Sequence, residues 1–280
     1  MKSKLARLGD KQFFALCGSL LGLALVVGVI EKSFLPSTTP MLFHLSLVFG
    51  LMLTIWVLSL RNEEKRQKLR KQIRGDYQNV EALFSLYQQI NPRLPLPIMR
   101  GWAASPDFLN VLVELVRTRK PKVIVECGSG TSSLVSGYLL EELGQGKVYS
   151  LDHEAYYGAE TTQRLALHGL SEQVEVFHAP LIQHQIEGKS WQWYDFSALP
   201  AEVRIDLLVI DGPPSSIQHQ ARYPALPLLA GRMSAEATIL LDDYDRPEDT
   251  ALVKRWVAEF EGWTLKEIGT EKGAAVLTKK

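Results

Sequence analysis

Two long, uncharged apolar runs occupy most of the N-terminal part of the chain. Phe13–Ile30 has 18 residues and Leu42–Leu60 has 19, and neither contains a charged side chain. As helices, these runs would each be roughly 27–28 Å long, close to the thickness of the hydrocarbon core of a bilayer. Because buried helices are seldom apolar on every side, the pattern predicts two transmembrane helices. A cleaved signal peptide is the alternative for the first run, but this run is long, lacks an obvious cleavage site and precedes a second span.

A charged segment, Asn62–Ile90, follows the second apolar run. Its first half has little apolar face and predicts a solvated helical stalk, although its basic residues could also lie against anionic headgroups. Its second half carries apolar residues at helical spacing and should pack on the domain that follows. Three prolines in Asn91–Pro97 end this helix. Ser105 and Pro106 then predict the N-cap and first position of a helix that runs through Val116.

From Pro121 onward, short apolar runs alternate with helical patterns, which is typical of a parallel sheet covered on both faces. The predicted strands are Val123–Glu126, Lys147–Asp152, Val174–His178, Ile205–Asp211, Ala237–Asp242, Trp263–Ile268 and Ala274–Thr278. The predicted helices are Thr131–Leu143, Gly158–His168, Ile217–Leu229 and Pro247–Glu261. A short turn joins the last two strands, so we expect them to form an antiparallel pair at one edge of the sheet.

The fold prediction is therefore an α/β protein with a doubly wound, Rossmann-like and mostly parallel seven-stranded sheet. An antiparallel strand pair ends the chain, and two transmembrane helices and a helical stalk precede the sheet. Residues 1–61 are assigned to the transmembrane hairpin, residues 62–97 to the stalk and linker, and residues 98–280 to the α/β domain.

The net charge of the chain is zero, but it is unevenly distributed. Residues 1–74 hold 12 Lys and Arg against 4 Asp and Glu, a net charge of +8, and the remainder hold 19 against 27, a net charge of −8. An acidic α/β domain argues against nucleic acid as a partner. The sequence has two cysteines, Cys17 and Cys127, which do not suggest a disulfide framework and fit a reducing compartment.

Basic residues are concentrated outside the loop that connects the two apolar runs. They lie before the first run and after the second: Lys2, Lys4, Arg7, Lys11, Arg61, Lys65, Arg66, Lys68, Arg70, Lys71 and Arg74. The connecting loop, Glu31–Met41, contains only Lys32. By the positive-inside rule, we expect a protein of the cell (inner) membrane with both termini and the α/β domain in the cytoplasm and the loop outside.

Small residues recur at intervals of four in the first apolar run. Gly18 and Gly22 form one such pair, and Ala24 and Gly28 form another. Small side chains let helix backbones approach closely in a membrane. The pairs therefore indicate close contact between the two helices of the hairpin or, alternatively, a homodimer.

The stretch Val123–Ser133, with the sequence VIVECGSGTSS, is the first with candidate chemistry. It predicts a buried strand, a tight turn at Gly128 and Gly130, and the N-terminus of a helix, whose free N–H groups can contact a ligand. An ordinary strand-to-helix turn is the simpler alternative. Glu126 adds a carboxylate at the end of the strand, and Ser133 stands where a dinucleotide-binding loop has its third glycine. These two residues favour a ligand with an ammonium group over NAD.

Acidic residues end four of the predicted parallel strands, where ligands bind in open α/β sheets. They are Glu126, Asp152, Asp211 and the adjacent pair Asp242 and Asp243. Asp152 follows Gly128 by 24 residues, a position from which its carboxylate can accept hydrogen bonds from both hydroxyls of a ribose. A helix cap is the alternative role for Asp152. The third strand ends at Ala179, where small side chains leave room for an adenine ring.

Four motifs together resemble those of class I S-adenosylmethionine-dependent methyltransferases: ECGSG, LDHE, IDLLVIDGPP and ILLDDY. The resemblance extends from about Trp102 to the C-terminus. It implies that Glu126, Gly128 and Gly130 hold the methionine part of S-adenosylmethionine, Asp152 the ribose and Ala179 the adenine. The full set of cofactor-binding residues that it implies is Glu126, Gly128, Ser129, Gly130, Ser132, Asp152, His153, Ala179 and Asp211.

The order DGPP and then DDY is also similar to the subgroup that includes catechol-type O-methyltransferases. That subgroup implies a divalent metal such as Mg²⁺, held here by Asp211, Asp242 and Asp243. The sequence departs from the subgroup at two positions: Asp243 replaces an asparagine, and Pro214 replaces the catalytic lysine. The two adjacent carboxylates could instead cap the helix that starts near Pro247 or bind substrate hydroxyls.

Methyl transfer to a hydroxyl group needs alignment of the two reactants and a group that removes a proton. Asp211 is the best-placed candidate for the catalytic base. His219 is a second catalytic candidate, and Arg222 and Tyr223 could line the acceptor pocket, although residues of these types are more often ordinary parts of a helix. The segment Leu181–Pro200 lies between the third and fourth predicted strands and carries four aromatic residues. These residues could form a lid or a substrate platform, or they could simply cover the sheet.

The leading hypothesis is a membrane-anchored methyltransferase that uses S-adenosylmethionine at the cytoplasmic face. Its acceptor would be a small molecule, a glycan or a lipid-linked molecule, and O-methylation is the expected reaction. Aminopropyl transfer on the same fold is one alternative, and a non-catalytic membrane scaffold that binds a ligand is another. An NAD-dependent oxidoreductase is disfavoured by Ser133.

Overall fold

The computed structural model describes residues 10–34, 41–99 and 101–279. These residues fall into two compact units, which divide between Asp76 and Tyr77 and are described separately. The basic residues Lys2, Lys4 and Arg7, and most of the predicted external loop, lie outside the described residues.

The first unit contains two long helices, α1 (Asp10–Phe34) and the first part of α2 (Met41–Ile90). Both predicted spans lie within these helices, and both helices are long and apolar enough to cross a membrane. The predicted stalk is not a separate element, because α2 continues without interruption from the apolar run into the charged run. Most large apolar side chains of the two helices are exposed, among them Leu21, Val29 and Phe49.

Contacts within the hairpin involve only one of the two pairs of small residues. Ala24 is buried, and a side chain at Gly28 would come within 2.7 Å of the ring of Phe43. Near the turn, the carboxylate of Glu31 accepts hydrogen bonds from the backbone N–H groups of Leu42 and Phe43, each 2.9 Å long, and so satisfies two free donors at the start of α2.

The other pair, Gly18 and Gly22, has no atom within 4 Å of the space that a side chain would occupy. The prediction that this pair brings the two helices of one hairpin together is therefore wrong. Its alternative role in a homodimer stays a prediction.

The second unit contains the end of α2 and an α/β domain. Its helices are α3 (Pro106–Arg119), α4 (Thr131–Leu143), α5 (Ala155–Leu167), α6 (Ala225–Leu229) and α7 (Pro247–Glu259). Its strands are β1 (Val123–Cys127), β2 (Lys147–Asp152), β3 (Val174–His178), β4 (Leu181–Ile186), β5 (Lys189–Tyr194), β6 (Ile205–Ile210), β7 (Met233–Leu241), β8 (Trp263–Ile268) and β9 (Ala274–Lys279).

Seven strands form one sheet in the order β3-β2-β1-β6-β7-β9-β8. The first five in this order are parallel, and β9 runs antiparallel to both β7 and β8. This topology confirms the predicted doubly wound fold with its antiparallel C-terminal pair. It also brings the carboxyl ends of β1, β2 and β6 together at one edge of the sheet.

Both faces of the sheet are buried, as the continuous apolar strands predict. In β6, Leu208 and Ile210 pack on one face with α6 and α7, while Leu207 and Val209 pack on the other with α3 and α4. The end of α2 also joins the second face, through Leu86. The prediction that the second half of Asn62–Ile90 packs on the domain is confirmed.

The prediction of a helix at Ile217–Leu229 is wrong for its first half, because only Ala225–Leu229 is helical. Two residues explain the difference. Gln220 has a left-handed backbone with φ of +52°, and Pro224 has no N–H group with which to continue a helix.

The segment Leu181–Pro200 contains an antiparallel hairpin, β4 and β5, rather than a long loop. Three of its residues, Trp191, Trp193 and Tyr194, are buried in the core on one face of the seven-stranded sheet. This burial supports the alternative prediction that the aromatic residues cover the sheet. On the free edge of β5, the side-chain amide of Gln218 accepts from the N–H of Gln192 at 2.9 Å and donates to its carbonyl at 3.0 Å.

Candidate functional site

The turn after β1 requires glycine at two positions. Gly128 and Gly130 have φ values of +104° and +149°, in the region that side chains disfavour. A side chain at Gly128 would also lie 3.4 Å from the backbone nitrogen of Gly212. The turn therefore keeps its backbone close to the end of β6 and directs the N-terminus of α4 towards the edge of the sheet.

Glu126 is buried beneath this turn. Its carboxylate accepts hydrogen bonds from the hydroxyls of Ser133 at 2.6 Å and Ser136 at 2.9 Å, and the Ser133 oxygen in turn accepts from the backbone N–H of Gly130 at 3.2 Å. Burial raises the pKa of Glu126 to about 7, although these hydrogen bonds oppose the shift. Ser133, which stands where a dinucleotide-binding loop has its third glycine, thus connects the loop to Glu126.

Asp152 ends β2 and holds the same loop from the other side. One of its oxygens accepts hydrogen bonds from the backbone N–H and the hydroxyl of Ser129, and the other accepts from the N–H of Glu154 at 2.9 Å. The second bond closes an Asx turn just before α5, whose N-cap residue is Glu154, so Asp152 is not the helix cap predicted as its alternative role. The carboxylate also lines a cavity, so the predicted role in binding a ribose is compatible with the structure.

That cavity has a volume of about 500 Å³ and lies above the carboxyl ends of β1, β2 and β6. Seven of the nine predicted cofactor-binding residues line it: Gly128, Ser129, Gly130, Ser132, Asp152, His153 and Asp211. The other two, Glu126 and Ala179, are buried and are not among its lining residues. A direct role for either side chain in holding a cofactor stays a prediction that this geometry does not support.

Among the residues of the cavity wall that were not predicted as ligand-binding candidates are Tyr157 and Arg164, which lie on α5. The α5 residues follow Asp152 closely in sequence, and this proximity could have indicated them. Tyr194, which ends β5, is one of the four aromatic residues of Leu181–Pro200 that were predicted to form a lid or substrate platform or to cover the sheet, and it does line the cavity.

The hydroxyl of Tyr194 is buried and has no hydrogen-bond partner among the described residues. It lies against Gly212, where any side chain would collide with it. Burial raises the pKa of Tyr194 well above its usual value, so the phenol stays protonated. An unpaired donor in a cavity wall is a candidate contact for a ligand, since a buried hydroxyl without a partner is costly.

Three carboxylates meet where β6 and β7 end. Asp211, Asp242 and Asp243 each offer one oxygen, and these atoms lie within 4.8 Å of one another. Neither oxygen of the buried Asp242 has a hydrogen-bond partner among the described residues. Burial, with repulsion from Asp211 and then Asp243, raises the pKa of Asp242 to about 7. Burial also raises the pKa of Asp211, and the charge of Arg222 opposes this shift.

Hard oxygen donors of this kind suit Mg²⁺ or Ca²⁺, as the predicted metal site requires. The charge at the cluster is nevertheless already compensated in part. Arg222 and Arg246 both form ion pairs with Asp243, at 2.7 Å and 2.8 Å. The residues therefore fit a divalent cation in donor chemistry but not in charge.

A second cavity of about 230 Å³ adjoins this cluster. It shares Trp102, Asp211 and Pro214 with the first cavity, and Arg222 also lines it. His219 is exposed and lines neither cavity, and Tyr223 is buried with its hydroxyl bonded to Glu259. Of the residues predicted near an acceptor, Asp211, Arg222 and Asp243 line this second cavity together.

Comparison with protein families supports this interpretation of the site. Residues 125–244 match a family model described as a methyltransferase domain. This range begins in β1 and ends just after the carboxylate pair that follows β7, so it contains the glycine turn, Asp152 and Asp211. No curated protein was found to match the chain.

Solved structures with a similar fold include methyltransferases. The SAH-bound methyltransferase PaMTH1 of Podospora anserina is 18% identical, with a TM-score of 0.51 over 71% of this chain and 88% of that one. Cofactor-bound Rv0187 from MTB is also 18% identical, with a TM-score of 0.50 over 71% of this chain and 89% of that one. Together with the family match over residues 125–244, they show that the α/β domain has the class I methyltransferase fold.

The burial of Glu126 predicts a specific dependence of stability on pH. Its raised pKa means that the folded state keeps a proton between about pH 4.5 and 7, where the unfolded chain has lost it, so this contribution to stability falls as the pH rises. The Glu126→Gln variant lacks this loss. Relative to wild type, its free energy of unfolding should improve by up to about 3 kcal/mol between pH 5 and pH 8.

Urea denaturation of the detergent-solubilised chain, followed by circular dichroism at both pH values, measures this difference. The matched control is the Glu175→Gln variant, which removes an exposed carboxylate from β3. Its free energy of unfolding relative to wild type should be the same at pH 5 and at pH 8. Equal pH dependence in wild type and Glu126→Gln would contradict the assignment.

The Tyr194→Phe substitution removes a buried hydroxyl that has no partner, so the ligand-free protein should gain about 1 kcal/mol of stability. Tyr244→Phe is a contrasting control, because the buried Tyr244 donates to Glu267 at 2.7 Å and its loss should destabilise by about 1 kcal/mol. The two shifts in urea midpoint should have opposite signs. A destabilised Tyr194→Phe variant would show that the hydroxyl has a partner in the protein.

Proposed function

We propose that this methyltransferase domain transfers a methyl group from S-adenosylmethionine to a hydroxyl oxygen of an acceptor at the cytoplasmic surface of the cell membrane. The observation that carries the proposal is the cavity above the strand ends, whose wall combines the glycine turn, Asp152 and Asp211. Two solved methyltransferases with this fold, PaMTH1 and Rv0187, are bound to SAH and to a cofactor, which supports the choice of ligand.

The residues at the cavity wall suit the parts of the cofactor. The backbone turn at Gly128 and Gly130 leaves space for the methionine moiety, since neither residue has a side chain. Asp152 can accept hydrogen bonds from ribose hydroxyls while its other contacts hold the loop. When bound, S-adenosylmethionine supplies an electrophilic methyl group on a sulfonium.

Asp211 is the proposed base. Its side chain is 21% exposed and lines both cavities, so an acceptor in the smaller cavity and a cofactor in the larger one would meet beside it. Burial makes this carboxylate a stronger proton acceptor than an ordinary aspartate. A base at this point can take the proton of the acceptor hydroxyl as the methyl group is transferred.

The two other positions considered for a proton acceptor are less well placed than Asp211. His219 lies away from both cavities, and Pro214 offers no side-chain proton acceptor at the position where the similar subgroup has lysine. Trp102 forms part of both walls and gives the acceptor an apolar surface to pack against. An aromatic ring at this junction favours acceptors that carry an apolar or planar portion beside their hydroxyl group.

Membrane anchoring rests on α1 and α2 together with the distribution of charge. The two helices are long and apolar enough to cross a bilayer, and seven basic residues follow the second apolar run directly. Anchoring would bring the domain near acceptors that are lipid-linked or synthesised at the membrane. We therefore propose an acceptor that is found at the membrane: a lipid-linked molecule, a glycan or a small molecule.

The cofactor assignment predicts that Asp152→Asn weakens binding of S-adenosylmethionine roughly 10- to 100-fold, since hydrogen bonds to a charged group are lost. Isothermal titration with the detergent-solubilised full chain measures the affinity. Ser129→Ala breaks the loop contact to Asp152 but keeps the carboxylate, so it should have the smaller effect. Wild type without detectable binding would refute the cofactor, and equal affinity of wild type and Asp152→Asn would refute the role of Asp152.

The membrane assignment predicts that the chain stays in the membrane pellet after an alkaline carbonate wash. Green fluorescent protein fused to Lys280 should be fluorescent, and alkaline phosphatase inserted between residues 35 and 40 should be active, because the first needs the cytoplasm and the second an oxidising exterior. Alkaline phosphatase at the C-terminus is the matched control and should be inactive. Release by carbonate, or the opposite pattern of reporter activity, would contradict the topology.

A further inference from the structure

Arg222 is buried between the ends of β6 and β7, with its side chain 4% exposed. Its guanidinium donates to the backbone carbonyls of Asp211 at 2.5 Å and Asp242 at 2.7 Å, and to the carboxylate of Asp243 at 2.7 Å. The same group lies 3.6 Å from a carboxylate oxygen of Asp211. One cation therefore contacts all three residues of the carboxylate cluster.

The planar fork of a guanidinium suits this task better than a single ammonium group. Its two terminal nitrogens point to carbonyls on neighbouring strands, and one of them also reaches Asp243. A buried arginine with these contacts is held in one position and cannot move aside without leaving carbonyls and a buried carboxylate unpaired.

Two positive charges already neutralise most of the negative charge at the cluster. Three ionised carboxylates would carry a charge of −3, and Arg222 and Arg246 reduce this to −1. A divalent ion bound to the same oxygens would lie beside the guanidinium in a region of low solvent exposure, where like charges repel strongly. The charge that a metal would bring to this site is already present in the protein.

We propose that Arg222 takes the place of a divalent cation at the Asp211, Asp242 and Asp243 cluster, so that this site works without a metal. Arg222 is then a positioning residue, because it fixes Asp211 at the junction of the two cavities and does not itself contact the reacting atoms. This inference rests on the proposed function for its catalytic consequence, but the absence of metal affinity is a property of the chain alone.

Mn²⁺ is the probe that tests the inference. The EDTA-washed full chain in detergent is titrated with Mn²⁺ alone, and bound metal is measured by electron paramagnetic resonance. We expect no stoichiometric binding at millimolar Mn²⁺ and no change in methyl transfer after EDTA treatment. Stoichiometric binding by wild type, or activity that EDTA removes and Mn²⁺ or Mg²⁺ restores, would overturn the inference.

Two variants test whether the charge of Arg222 is the cause. Arg222→Met removes the charge and the ion pairs to Asp211 and Asp243, so it should gain Mn²⁺ affinity by roughly tenfold or more. Arg222→Lys keeps the charge and should remain unable to bind. A folded Arg222→Met variant that binds no better than Arg222→Lys would refute the role of the charge, and if Arg222→Met does not fold, the wild-type titration and EDTA measurements decide.

The outcome is separable from that of the proposed function. If S-adenosylmethionine does not bind, the proposed activity fails while the Mn²⁺ titration still reports on the cluster. If methyl transfer is found and depends on a divalent ion, the activity stands and the role of Arg222 falls.

Discussion

The constraint on which this domain depends is the convergence of negative charge at one edge of its sheet. Parallel strands end on the same side, so acids at their carboxyl ends come close together whether or not they attract one another. Each is stabilised differently. Serine hydroxyls bind Glu126, the Ser129 loop binds Asp152, and arginines bind Asp243, whereas Asp242 has no partner among the described residues. The candidate ligand site is the cavity that lies among these acids and their partners.

Much of the fold could be predicted from the sequence because its parallel strands are short, continuous apolar runs buried on both faces. Val174–His178 and Lys147–Asp152 have the predicted bounds for this reason. The predictions failed where local pattern and long-range contact disagree. Ile217–Leu229 has a helical spacing of apolar residues, but a left-handed Gln220 and Pro224 stop the helix. The hairpin β4–β5 was missed because its aromatic residues are buried by partners far away in sequence.

The candidate site was predictable to a similar depth. Strand-end acids and glycines can be read from position alone, and most of the residues so identified line the cavity. The sequence did not reveal which side chains form hydrogen bonds or ion pairs with one another. Glu126 was predicted to face a ligand, yet two serines of α4 use its oxygens. Arg222 contacts residues 11, 20 and 21 positions away, and nothing in its local sequence distinguishes these contacts from those of an exposed helix residue.

The contact between Gln218 and Gln192 has a consequence for how copies of the protein meet at high concentration. An exposed strand edge offers an N–H and a carbonyl to any extended chain that meets it, and such edges promote association between copies. Here one side-chain amide occupies both groups at the middle of the free edge of β5, as an incoming strand would. The glutamine thus blocks strand addition at this point, and it protects the hairpin, whose Tyr194 lines the cavity, from recruitment into an intermolecular sheet.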